Sequence, residues 1–94
     1  MAVLKVTDVD KNLTKKGFAR HDTDHSYYIY CIDGRKTIVK TKISHGEREI
    51  GDALISLMSR QTHVSKEEFI KLIECTMTEE AYRKNLLFKG IIRL

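Results

Sequence analysis

The sequence predicts an α+β domain with helices on one face of a small antiparallel sheet, and three observations carry that prediction. Residues 25–32, His25-Ser26-Tyr27-Tyr28-Ile29-Tyr30-Cys31-Ile32, are dense in aromatic and branched side chains, and Asp33-Gly34 joins them to an alternating run over 35–43. Two such runs around Asp-Gly form a β-hairpin, because Gly accepts the positive φ of the tight turn. Apolar residues recur at helical spacing before this hairpin and three times after it. With 94 residues, 41% hydrophobic and 32% charged, the chain has material for one core. Pro is absent and Gly occurs five times, which argues against linker-rich and collagen-like chains. One domain over 1–94 is expected.

Residues 7–16 read as the first helix. Thr7 is its expected cap with Asp10 three residues on, and Val9 and Leu13 share a face. Lys15 and Lys16 suit the negative helix end, and Gly17 is the left-handed stop. Residues 18–21 begin an extended run that turns at Asp22-Thr23-Asp24, where carboxylates bond nearby backbone amides. After the strand over 25–32 and its turn, period two sets Lys36, Ile38, Lys40 and Lys42 on one face of the returning strand. Ser44-His45-Gly46 breaks that strand. Ile50, Ala53, Leu54, Leu57 and Met58 then follow the i, i+3, i+4, i+7, i+8 rule and predict an amphipathic helix over about 47–60. Ser65 with Glu68 forms a capping box, and Val64 with Phe69 a hydrophobic staple, for a third helix reaching Glu74 with Phe69, Leu72 and Ile73 inward. Thr78 caps a fourth helix, with Met77 and Tyr82 as its staple, ending near Gly90. The apolar end, Ile91-Ile92-Arg93-Leu94, is expected to dock on the body or on a partner chain, so a homodimer is among the expectations.

The formal net charge is +4, from 17 Lys and Arg against 13 Asp and Glu, and its distribution is uneven. Acids and bases cancel over 1–34 and again over 47–94. Residues 35–46 carry Arg35, Lys36, Lys40 and Lys42 with no acid at all. A localised cationic patch is what a phosphate-backbone binder needs. Lysines on a strand also discourage edge-to-edge aggregation, and charge alone leaves both readings open. No apolar stretch approaches the ~20 residues that cross a bilayer. The start, Met1-Ala2-Val3-Leu4-Lys5, lacks the pattern of a secretory signal. Cys31 and Cys75 have no Cys-x-x-Cys partner, so reduced thiols and a cytoplasmic setting are expected.

Candidate chemistry centres on histidine. His21 and His25 flank Asp22-Thr23-Asp24, and two imidazoles with two carboxylates could ligate a metal. Zinc motifs, however, recruit ligands from separated elements, and only His45 offers one, so the pattern favours a polar hairpin tip without metal. His25 opens a strand beside the lysine-bearing strand. An imidazole there can move the proton in attack of a ribose 2′-hydroxyl on phosphate. Asp24 could hold its tautomer, and Lys40 or Lys42 could steady the phosphorane. A strand-end His without chemistry accounts for the same residue. Ser44-His45-Gly46 reads either as a phosphate-binding helix start or as a cap with a solvent-facing His, with Glu47 and Glu49 opposing an anion there. Period two divides Tyr27 from Tyr28 and Tyr30, so an exposed Tyr could stack a base. No Gly-rich nucleotide loop, Gly-x-Ser-x-Gly or Cys–His signature occurs, which disfavours kinase, dehydrogenase and hydrolase classes.

The ordered set Lys16-Gly17-Phe18, Asp24-His25-Ser26-Tyr27-Tyr28, Asp33-Gly34-Arg35-Lys36-Thr37, Ser44-His45-Gly46, Glu49-Ile50-Gly51 and Ser65-Lys66-Glu67-Glu68-Phe69 resembles the HicA toxins of HicA–HicB toxin–antitoxin pairs. The resemblance spans roughly residues 7–74. It implies an α-β-β-β-α core similar to the double-stranded RNA-binding domain, with the C-terminal helices added to it. It also implies metal-independent mRNA cleavage without a cofactor, and a HicB-like antitoxin as protein partner. The family's functional His falls on His25. Thr23-Asp24-His25 stands where the family carries Gly-Ser-His, and residues 76–94 exceed a minimal member. The expectation is an RNA-binding endoribonuclease with His25 catalytic and Lys36, Lys40, Lys42, Ser44 and His45 contacting RNA. The alternative is a non-catalytic RNA- or protein-binding module on the same sheet face.

Overall fold

The computed structural model describes residues 3–93. Their order is β1 (Leu4–Lys5), α1 (Val6–Lys15), β2 (Phe18–Asp22), β3 (His25–Ile32), β4 (Arg35–Ser44), β5 (Glu49–Ile50), α2 (Asp52–Gln61), α3 (Lys66–Ile73) and α4 (Glu79–Phe88). β2, β3 and β4 form an antiparallel sheet in that spatial order, and β1 pairs separately with β5. The expected α+β class is therefore found.

α1 starts one residue earlier than the sequence predicts, and Thr7 is not its cap. Lys5 occupies the cap position without a side-chain bond. The β1–β5 ladder explains why none is needed: it leads straight into the helix, and the Val6 amide donates to the Arg48 carbonyl at 2.9 Å. Gly17 ends the α1 region at φ +98°. A Cβ there would lie 2.7 Å from Glu79 Oε2, so this glycine also admits α4.

The inner face of the sheet supplies Phe18, Tyr28, Tyr30, Ile32, Val39 and Ile43 to the core. Tyr30, Phe18 and Tyr82 of α4 stack with ring centroids 5.2–5.8 Å apart. Asp33 and Gly34 both have positive φ, as a tight hairpin turn requires. α3 carries the expected Ser65–Glu68 capping box, and the Thr78 hydroxyl caps α4 by accepting from the Ala81 amide. Phe69, Leu72 and Ile73 are buried as anticipated.

The second helix departs from the sequence reading. It begins at Asp52 instead of about 47, because Glu49–Ile50 pair with Leu4–Lys5. Ile50 is buried from a strand, and the helix buries Ile55, Met58 and Ser59, while Ala53 and Leu57 are exposed. Residues beyond 75 are integral to the core: Tyr82, Leu86 and Ile92 are buried, and Ile91 packs against them. The segment 91–92 thus docks on the body, whereas Leu94 lies outside the described residues.

Candidate nucleic-acid interface

The helical side of the sheet is occupied by the core, which leaves the other face to carry polar residues. Strand register defines its rows. His21 of β2 is opposite Tyr27 of β3, which is opposite Lys42 of β4. Ala19, Ile29 and Lys40 form the next row, Cys31 and Lys36 the one beyond, and His25 with Ser44 the row at the open end. Lys36, Lys40 and Lys42 are all exposed, as the alternation predicts. They share this face with Ile38, which is 74% exposed.

A bulge in β4 sets the spacing of the lysines. Ile29 faces Lys40 while Cys31 faces Lys36, so three residues of β4 oppose Tyr30 alone. The Thr37 hydroxyl repairs the ladder by donating to the Tyr30 carbonyl at 2.7 Å and accepting from the Val39 amide at 3.2 Å. Lys42, Lys40 and Lys36 consequently stand opposite every second residue of β3, about 7 Å per step. The sequence alternation places these lysines on one face but contains no signal for their even spacing.

Asp24 is the organising group at the open end. Its Oδ1 accepts from the Thr23 hydroxyl at 3.0 Å and from the Tyr27 hydroxyl at 3.1 Å, and its Oδ2 lies 3.2 Å from Nδ1 of His25. The Thr23 hydroxyl foremost, then His25 and Tyr27, hold the carboxyl down to about 2. His25 Nδ1 is buried and lies at ion-pair distance from this carboxylate without an aligned hydrogen bond, while 30% of the side chain is exposed. The His25 and Tyr27 rings meet edge to face, 6.1 Å between centroids.

Ser44 and His45 do not begin a helix. Ser44 ends β4, His45-Gly46 is a turn, and β5 intervenes before α2, so the amide-rich helix start expected at His45 is absent from this place. His45 reaches back across the sheet end, and its Nε2–H donates to the Thr23 carbonyl at 2.9 Å. It thereby pins the turn that carries Asp24. The structure brings His25, Lys42 and Ser44 together and sets Lys36 about 20 Å along β3 from His25. His21, on sequence a candidate metal ligand alone, joins the same face through the β2–β3 register.

Among the described residues, no group of three or more His, Cys, Asp or Glu is placed to hold a metal ion. The two cysteines are free. A groove of about 660 Å³ lies at the hairpin end of the sheet, lined by Ile32, Arg35, Lys36, Ile38 and the segment 91–93, away from His25. The His25 end is an open face, suited to a polymer more than to an enclosed small molecule. No helix among the described residues is long and apolar enough to cross a membrane. Compared with protein-family models, curated proteins and solved structures, the chain gives no match.

Proposed function

We propose that this chain is a HicA-like, metal-independent mRNA endoribonuclease of the cytoplasm, with a core similar to the double-stranded RNA-binding domain and a HicB-like antitoxin as its partner. The order α1-β2-β3-β4-α2, interrupted only by the two-residue β5, supports the likeness to that fold. One observation carries the chemistry: an Asp24-supported imidazole opens the same sheet face that presents the lysine row.

In this reading Lys36, Lys40 and Lys42 hold successive phosphates and Ser44 contacts the backbone beside His25. The expected contact of His45 with RNA becomes support for the turn. Asp24 at Nδ1 favours the tautomer whose Nε2 lone pair is free, as carboxylate–imidazole pairs do generally. Nε2 takes the proton of a ribose 2′-hydroxyl while that oxygen bonds to phosphorus. The bond from phosphorus to the 5′-oxygen breaks and that oxygen takes a proton, from solvent or from a second acid on the face, giving a 2′,3′-cyclic phosphate and a 5′-hydroxyl with no change of oxidation state. Lys42, one row from His25, stabilises the phosphorane charge.

The test is incubation with structured mRNA in EDTA beside His25→Ala. Wild type is expected to cleave, and the variant to bind RNA yet cleave about 10²–10⁴-fold more slowly, the usual worth of a positioned acid or base. Equal cleavage by the variant removes His25 from the chemistry. A second reading, an RNA-binding module without catalysis, is favoured by Asp24 itself: its 72%-exposed carboxylate places negative charge where a phosphate must approach. Binding without cleavage by wild type selects that reading.

A further inference from the structure

We propose that His21 is the second proton-transfer residue of this face, giving its proton to the leaving 5′-oxygen while His25 takes the proton of the attacking 2′-hydroxyl. The inference rests on the endoribonuclease reading and adds a residue that the family resemblance does not supply.

In-line displacement at phosphorus puts the attacking and leaving oxygens on opposite sides of the phosphate. One imidazole serves one of those sides. A second group must therefore stand a phosphate's width away on the same surface. His21 meets that requirement through the register of the sheet. It is opposite Tyr27, two positions along β3 from His25, so the two histidines are diagonal neighbours with backbones about 7–8 Å apart. Its strand neighbour Arg20 turns to the other face, where it binds Asp10 at 2.8 Å and Asp22 at 3.0 Å.

The engagement of the histidines singles out His21. His25 Nδ1 lies at ion-pair distance from Asp24 and His45 Nε2–H donates to the Thr23 carbonyl, while His63 sits in the α2–α3 loop. No hydrogen bond or ion pair engages the His21 ring among the described residues, and it is exposed. A ring that must arrive protonated and leave neutral gains from having no fixed partner. The groups facing this surface are Asp24, His25 and Tyr27 from the β3 end, Lys42 and Ser44 from β4, and His45 from the following turn. Tyr27 donates its hydroxyl to Asp24, which leaves Lys42 and the two imidazoles to meet a phosphate above that row. Both transfers balance: one proton moves from the 2′-oxygen to His25, another from His21 to the 5′-oxygen, and solvent restores both rings.

The test compares two RNA oligonucleotides, one natural and one whose scissile 5′-oxygen is replaced by sulfur, a leaving group that needs no proton. His21→Ala is expected to cleave the natural oligonucleotide about 10²–10⁴-fold more slowly and the sulfur-bridged one at nearly the wild-type rate. His25→Ala slows both. On the natural oligonucleotide the alkaline fall of the wild-type pH–rate profile disappears in His21→Ala. If His21→Ala cleaves both oligonucleotides like wild type, or slows both equally, His21 is not the acid, while the role of His25 stands. If wild type cleaves neither, the endoribonuclease reading fails and this assignment fails with it.

Discussion

A single carboxylate decides the local order at the end of the sheet. Asp24 is exposed, yet it gathers the Thr23 and Tyr27 hydroxyls and the His25 ring around its two oxygens. Each donor stabilises the ionised form, which is why its titration falls to about 2. A carboxyl lowered in the folded state stabilises that state above its ordinary titration range. The contribution is lost as pH falls from about 4 towards 2. Tyr27→Phe removes one donor, so the Asp24 midpoint followed by carbonyl NMR is expected to rise in that variant and to rise further with Thr23→Ala. An unchanged midpoint in both would mean that the hydroxyls do not hold Asp24. The sequence made Asp24 legible as a neighbour able to orient His25. It could not reveal the reach of His45 to the Thr23 carbonyl, because that contact joins residues 22 positions apart and depends on where β4 ends.

Elements were legible in proportion to their length and periodicity. The strand over 25–32, its Asp-Gly turn and the capped third and fourth helices are found where the pattern sets them, because each combines a periodic run with chemical punctuation. The two-residue β1 and β5 have no period to read, and Ile50 fits the apolar stripe of a helix as well as a ladder with Leu4. That ambiguity moved the expected start of α2 forward and turned its stripe. The β4 bulge was equally hidden, since alternation continues through it. Thr37 maintains the bulge with two hydrogen bonds, so Thr37→Val is expected to cost about 1–3 kcal/mol, read as a lower Tm. A variant as stable as wild type would show that the bulge closes without the hydroxyl. Gly17→Ala tests the α1–α4 approach. Positive φ and the contacts with Glu79 and Tyr30 predict a loss of about 1–3 kcal/mol, measured by denaturant unfolding, and no loss would mean that α4 yields at this position.

At the scale of the molecule, the fold sorts chemistry onto opposite sides of one sheet. Every helix contributes to a core on the inner face, including α4, whose Leu86 is fully buried, so Leu86→Ala is expected to cost about 2–5 kcal/mol by denaturant unfolding. A loss below 1 kcal/mol would return residues 76–94 to the status of an appendage. Three of the four excess cations, Lys36, Lys40 and Lys42, lie on the other side, in β4, and acids balance bases through the rest of the chain outside residues 35–46. β4 is also an edge strand, so its lysines can guard against strand addition without touching RNA. Salt separates these roles. Each phosphate held on a single strand releases about 0.7 of a counterion, so three lysines in contact give a log Kd against log salt slope of about 2. Changing Lys36, Lys40 and Lys42 to Ala one at a time is then expected to lower that slope in roughly equal steps, as their even placement along β3 requires. If the slope stays constant while the variants self-associate, the row protects an edge and binds no nucleic acid. If Lys40 and Lys42 alone change it, the backbone of the RNA leaves the sheet before the bulge, and the path ends nearer His25 than the lysine row does.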